Sequence, residues 1–485
     1  MQKPTANLPL STTDDAMEQV AALVARARRA QKAIDNYTQA QADDLAVACG
    51  WAIMQPERNR SLAERAVNDT GLGNVADKIT KNHRKTLGLL RDLQTARTVG
   101  VISENPELGL IEYARPVGVV AAITPSTNPG ATPANKIINA VKCRNAVIVA
   151  PSPKGVGTCR LLLDYIHDEL ERIGLARDVA ESLVQMLPAP VSKALTHALM
   201  MQADLVVATG SQANVRAAYL SGTPAFGVGA GNVASIVHAS ADLRLAAERI
   251  MLSKAFDNAT SCSSENSVVV DESVAERFVQ EYAAQGGVLL TAQEKEQLQK
   301  VMWPDGKLSG AITGKSASAI AASAGLQRPE FAQAKALVVE ESECGPDHPF
   351  SGEKLSPVLT MYRSRDSDHA LQIVDAIYAY QGAGHSVSLH CDPAQADPHA
   401  RRLAQALPVC RVIVNQPHTV ATGGSFENSL PFSLSMGCGT WGGNNFSSNM
   451  NYTQYLNITR VVYPIAARVP TETQIFGSYF ERFGR

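Results

Sequence analysis

The sequence predicts an α/β fold: a nucleotide-binding unit on a doubly covered parallel sheet, followed by a second α/β unit for catalysis. Three observations carry this. Four apolar runs, VGVVAAI (117–123), AVIVA (146–150), SLVQML (182–187) and DLVVA (204–208), read as buried strands. Helical stretches separate them, ATPANKIINAVK (131–142), a run from about Gly155 to Ile173, and VSKALTHALM. That alternation favours parallel strands joined by right-handed crossovers. The loops TPSTNPG, APSPKG and TGS follow strands, at the rim where such sheets bind ligands.

The remaining elements follow in order. From about Asp14 to Asn36, Met17, Val20, Val24 and Ala27 recur at helical spacing, with Ser and Thr before them able to cap the first turn. More helix is expected to about Leu93. In the second half a helix near 240–255 leads into FDNATSCSSENSVVV, and ALVV, SPVLTMY, SVSLH and RVIV read as strands. A cleft between the two units is the expected substrate site.

Composition excludes several classes. The 485 residues are 45% hydrophobic and 19% charged, with 44 Lys plus Arg against 46 Asp plus Glu. This describes a folded enzyme with no basic surface for nucleic acid or membrane. No window is apolar enough to cross a bilayer. MQKPTANLPLSTTDD lacks a signal-type apolar stretch, so a cytoplasmic enzyme is expected. None of the eight cysteines forms a CxxC pair, and seven read as small buried hydrophobes in a reducing compartment. No metal-ligand spacing, Walker motif or GxSxG elbow is present. Gly155-Val156-Gly157 opens a helix, but Arg160 stands where a dinucleotide fingerprint needs a third glycine.

A few residues could carry chemistry. Cys262 lies in a polar loop before the strand SVVV, where a thiolate can be exposed and stabilised; a spectator role is the alternative. Asn128, between Pro125 and Pro129, is either a turn residue or an amide donor to an oxyanion. Thr209-Gly210-Ser211 ends a strand and opens a helix, suiting a phosphate or a plain cap. Gly227-Val-Gly-Ala-Gly231 suits close approach to a ligand. His385 is a general base or a satisfied core histidine, and glycines around Trp441 indicate tight turns packed against something bulky.

Seven ordered motifs, PVGVVAAITPSTNP, LVVATGSQANVRAAY, GTPAFGVGAGN, FDNATSCSSE, EKLSPVL, GAGHS and GCGTWGGN, resemble the CoA-acylating aldehyde dehydrogenases from about residue 15 to 465. The resemblance implies the aldehyde dehydrogenase-like fold: a Rossmann-like cofactor domain (1–238), an α/β catalytic domain (239–439), a small β oligomerisation arm near 107–116, and a tail (440–485) packing back. It implies Cys262 as nucleophile and Asn128, with the Cys262 N–H, as oxyanion hole. Glu353 corresponds to the glutamate on the nicotinamide ribose, Gly210 and Ser211 to the pyrophosphate turn, and Ser152 and Lys154 to the adenosine ribose loop. Thr124, Pro125, Ser126 and Gly229 fall along the same cofactor path.

Hydrolytic relatives carry a glutamate that activates water. Gly227 stands at the matching position, which favours transfer of the acyl group to coenzyme A over release of a free acid. The stretches SCSSENS, NQPHTVATGGSFENSLPFSLSMGCGTWGG and NYTQYLNITR resemble the branch acting on sulfoacetaldehyde; acetaldehyde or another short aldehyde is the alternative. His418, Ser425 and N–H groups around Gly423-Gly424 would then face the sulfonate. Ser152 and Lys154, with no acid in the loop, favour NADP slightly, and NAD enzymes of the family also lack an acid there. A homodimer or homotetramer is expected.

Overall fold

The computed structural model describes residues 10–485, with side chains from Asp14 onward. Four helices come first: α1 (Leu10–Ala33), α2 (Gln39–Met54), α3 (Pro56–Thr70) and α4 (Val75–Leu93). On α1, Val20, Val24 and Ala27 are buried, as their spacing predicts. The expected first-turn cap lies outside the residues whose side chains are described. α4 is capped by Asn74, whose Oδ1 accepts from Asp77 N at 2.9 Å. Its inward face is unusual, for Lys78, Lys81 and Lys85 are all buried there beside Leu89 and Leu93.

Three strands, β1 (Gly100–Asn105), β2 (Leu110–Pro116) and, late in the chain, Leu456–Val462, form a separate antiparallel sheet. The arm expected near 107–116 is therefore its middle strand, completed by the tail.

The first parallel sheet holds β3 (Val119–Ile123), β4 (Ala146–Ala150), β5 (Val184–Met186), β6 (Leu205–Thr209) and β7 (Ala225–Val228), in the order β5-β4-β3-β6-β7. α5 (Ala131–Lys142), α6 (Val156–Arg172), α7 (Arg177–Leu183), α8 (Lys193–Gln202) and α9 (Gln212–Leu220) connect the strands. The run read as strand 182–187 is only half strand, because α7 takes its first two residues. The chain steps outward from β3 through β4 to β5, then returns past β3 to β6 and on to β7, so a crevice opens between β3 and β6, where Thr124 and Gly210 emerge.

The second parallel sheet has seven strands: β8 (Val233–Val237), β9 (Glu265–Asp271), β10 (Gly287–Leu289), β11 (Ala336–Glu340), β12 (Val358–Ser364), β13 (Val387–His390) and β14 (Val412–Val414). Their order is β10-β11-β12-β9-β8-β13-β14. β8 pairs with β9 and β13, so the chain changes sheets in Gly229–Asn232 rather than after residue 238. The helix α10 (Leu243–Ala255) links β8 to the loop before β9. Among the described residues no helix is long and apolar enough to cross a membrane.

Candidate active site

In the second sheet the chemistry sits where strands begin. Gly231, Cys262, Glu353 and His385 precede β8, β9, β12 and β13, and β12-β9-β8-β13 are consecutive in the sheet. Strand order alone therefore gathers four sequence-distant residues at one edge.

The loop presenting Cys262 is strained. Asp257, Asn258 and Ala259 have φ of 50°, 51° and 57°, a left-handed conformation costing non-glycine residues of order 1–3 kcal/mol each. Buried bonds around Asp257 hold it. Its Oδ1 accepts from Asn74 N at 3.0 Å, and its Oδ2 from Lys78 Nζ at 3.0 Å, Lys81 Nζ at 2.5 Å and Thr260 Oγ1 at 2.8 Å. Burial pushes the Asp257 pKa up, but Lys81 and Lys78 outweigh it and hold the carboxyl below its ordinary value.

Cys262 Sγ lies 3.6 Å from His385 Nε2, and His385 Nδ1 lies 2.6 Å from Ser386 Oγ. Burial, reinforced by Glu353 and Cys438, pushes the Cys262 thiol up to about 12. Burial, then Arg411 and His418, depresses His385 well below the usual histidine range. Both shifts favour the uncharged form, a thiol beside an imidazole. Gly231 closes over it: a Cβ there would fall 2.5 Å from Cys262 O and 2.8 Å from His385 Cδ2. Its N–H donates to Glu353 Oε1 at 3.2 Å. Burial raises Glu353 to about 7 despite that bond and the pull of Lys254 and Lys354.

The glycine runs around Gly384 and Trp441 pack against each other. A Cβ on Gly384, at φ 92°, would sit 2.0 Å from Cys438 O and 2.7 Å from Gly442 N. Trp441 itself is 56% exposed, so these turns serve glycine-on-glycine packing, not the ring. Arg411, which sequence reading passed over, locks the two runs. It donates to Asn449 Oδ1 (2.8 Å), Gly437 O (2.9 Å), Ser447 O (3.0 Å) and His385 O (3.3 Å).

Asn128 lies in the loop after β3, and its Oδ1 accepts from Lys81 Nζ at 2.7 Å. A cavity of about 920 Å³ opens at this edge of the first sheet, lined by Thr124, Pro125, Ser126, Ser152, Gly210 and Ser211. Thr124 Oγ1 and Ser152 Oγ are buried without a hydrogen-bond partner, and Ser211 caps α9. Orphaned hydroxyls beside a helix N-terminus fit the sugar and phosphates of a dinucleotide. Lys154 is exposed beyond the lining, while Lys193 and His197, unremarked in sequence, belong to it. Gly229 abuts the Gln212 side chain at the start of α9.

Some expectations need correction. A Cβ on Gly227 would meet Val215 and Tyr219, and the glycine that packs on the Cys262 carbonyl and the His385 ring is Gly231. His418 is buried with Nδ1 on Ser263 O at 2.8 Å, and burial lowers it to about 4. Ser425 Oγ accepts from Glu427 N, and Gly424 N–H donates to Ala421 O. The His418 Nδ1 and the Gly424 N–H are therefore taken, while the Ser425 hydroxyl accepts one bond and keeps its own proton to donate. Cys344 and Cys410 are half-buried rather than core residues. The described residues contain no cluster of three or more His, Cys, Asp or Glu side chains able to hold a metal.

Comparisons agree with this geometry. Residues 2–297 match the aldehyde dehydrogenase family. A sulfoacetaldehyde dehydrogenase (acylating) of Cupriavidus necator is 64% identical over 482 residues, covering 99% of this chain and 96% of the relative. An enzyme of the same description from Bilophila wadsworthia is 39% identical, covering 97% and 100%. The crystal structure of an acetylating aldehyde dehydrogenase from Geobacillus thermoglucosidasius superposes with a TM-score of 0.89 at 34% identity, covering 96% of this chain and all of that one. The chain belongs to the aldehyde dehydrogenase family, among its acylating members.

Proposed function

We propose that the protein oxidises sulfoacetaldehyde to its coenzyme A thioester, with NADP or NAD as oxidant. The observation that carries this reading is Cys262 Sγ set 3.6 Å from His385 Nε2, at the edge shared with Glu353. The Cupriavidus and Bilophila relatives supply the substrate.

The residues divide the work as follows. With Nδ1–H directed to Ser386, His385 Nε2 presents a lone pair to the thiol and takes its proton. Cys262 sulfur adds to the aldehyde carbon, and Asn128 Nδ2 with the Cys262 N–H stabilises the oxyanion. Bound nicotinamide supplies the hydride acceptor, and Glu353, with Thr124, Ser152, Gly210 and Ser211, would hold the dinucleotide. Loss of hydride leaves an acyl thioester on Cys262. Gly231, packed on the Cys262 carbonyl and the His385 ring, carries no carboxylate to activate water, so the thioester persists until coenzyme A sulfur attacks it and Cys262 leaves.

The sulfonate needs a cation with donors to spare. Lys78 and Lys81 are spent on Asp257, and Lys85 Nζ on the Gly423 and Gly424 carbonyls. Arg411 is spent on its four acceptors. Among the cations of α4, Arg84, half-buried, gives one N–H to Val420 O at 3.2 Å, two residues from the His418 that bonds Ser263 O, and keeps the rest, so we assign it the sulfonate.

Apolar side chains are exposed around the tail strand and final helix, among them Val462, Val469, Phe476, Tyr479 and Phe483. They favour a homo-oligomer built through the arm. Eight unpaired cysteines suit a reducing compartment, the cytoplasm.

The test is the absorbance of reduced cofactor with sulfoacetaldehyde, acetaldehyde or propanal, each with NAD or NADP and with or without coenzyme A. Coenzyme A-dependent turnover fastest on sulfoacetaldehyde supports the assignment. An uncharged aldehyde favoured instead removes the sulfonate. Equal rates without coenzyme A remove acyl transfer.

A further inference from the structure

We propose that Lys81 is a positioning residue for the oxyanion hole, fixing the Asn128 amide so that its NH₂ group faces the reacting carbonyl; this rests on Asn128 being the oxyanion donor. An asparagine amide is nearly symmetric in shape, and half a turn about its last bond exchanges donor and acceptor. Only one of the two orientations stabilises an oxyanion. Lys81 Nζ donates to Asn128 Oδ1 at 2.7 Å, and a lysine nitrogen has no acceptor to offer. The flipped amide would set NH₂ against a donor. The other side-chain bond of the amide among the described residues, Nδ2 to Thr127 Oγ1, is 3.4 Å long and too weak to choose.

Lys81 is itself fixed. It is buried on α4, its Nζ donates to Asp257 Oδ2 at 2.5 Å, and Thr260 Oγ1 lies 3.4 Å away. One nitrogen thus bridges Asn128, in the loop after β3 of the first sheet, and the strained loop that presents Cys262 before β9 of the second. Oxyanion donor and nucleophile come from different sheets, and a helix belonging to neither sets their relation. Pairing Asp257 for folding alone would not require this residue, since Lys78 already reaches Asp257 Oδ2 at 3.0 Å. Lys78 reaches the Thr127 carbonyl rather than the amide.

A double-mutant cycle tests this in the full-length enzyme. Single-turnover rates of cofactor reduction are measured for Lys81→Met, Asn128→Ala and the double variant at saturating aldehyde. Asn128→Ala should slow the step about 10²-fold, as loss of an oxyanion donor does. Lys81→Met should slow it about 10-fold or more, and the double variant should be no slower than Asn128→Ala within about 2-fold. The rate of Cys262 alkylation by iodoacetamide reports the nucleophile loop separately, and it should be unchanged in Lys81→Met. Equal slowing by Lys81→Met in both backgrounds would overturn the positioning role while leaving Asn128 in place. So would an alkylation rate that falls as far as the turnover. Full activity in Asn128→Ala would remove the oxyanion reading, and this inference with it.

Discussion

His385 Nε2 stands 3.6 Å from Cys262 Sγ, and burial favours the uncharged form of both groups. Such a pair stores no thiolate: the proton moves only as sulfur attacks. With the thiol pushed up to about 12, the resting enzyme should alkylate slowly at neutral pH and faster as pH rises. His385→Ala should slow the burst of cofactor reduction about 10²-fold or more with cofactor affinity unchanged, as stopped-flow absorbance will show.

Glu353 gives a second pH signature. Its pKa is raised to about 7, so it gains its charge as pH rises through neutrality. A carboxylate accepts from ribose hydroxyls with both oxygens, and a protonated acid loses part of that capacity. Cofactor affinity should therefore tighten from about pH 6 to about pH 8, and Glu353→Gln should flatten that dependence. Fluorescence titration of the reduced cofactor measures it.

Asp257 should matter for stability as well as geometry. Replacing it with Ala leaves Lys78 and Lys81 buried without their carboxylate, a loss of about 3–5 kcal/mol. Because its folded pKa is depressed, its contribution is present above the ordinary aspartate pKa. It is lost as pH falls through the folded value. Denaturant unfolding should show Asp257→Asn losing stability at neutral pH, with a flatter acid limb than the wild type.

Arg84 should govern selectivity alone. Arg84→Met is expected to raise KM for sulfoacetaldehyde about 10-fold or more, the scale of a lost charge-assisted hydrogen bond, and to leave KM for acetaldehyde within about 2-fold. Parallel steady-state kinetics on the two aldehydes decides it.

Much of the fold was legible in the sequence. Buried parallel strands are near-continuous apolar runs, and β3, β4 and β6 stand out for that reason; β5 was overextended because α7 ends in Leu183, directly before Val184. β10 escaped notice because three residues, Gly287–Leu289, form too short a run to stand out. Cys262 and Asn128 were visible because polar loop residues beside apolar strands are conspicuous. Lys81, Asp257 and Arg411 were not, since their partners lie 47 to 179 residues away for Lys81 and up to 38 for Arg411. The trace they left was three lysines at i, i+3 and i+7 on an amphipathic helix, a spacing that surface charge also produces. His418 looked free because its partner, the Ser263 carbonyl, lies 155 residues away.

The most direct test is the mass of the Cys262 peptide after the enzyme meets sulfoacetaldehyde and oxidised cofactor without coenzyme A. The account predicts a thioester-linked acyl group on Cys262, formed in step with one burst of reduced cofactor. Added coenzyme A should discharge it as the acyl-CoA. An unmodified Cys262, or an adduct that empties equally fast without coenzyme A, would contradict it.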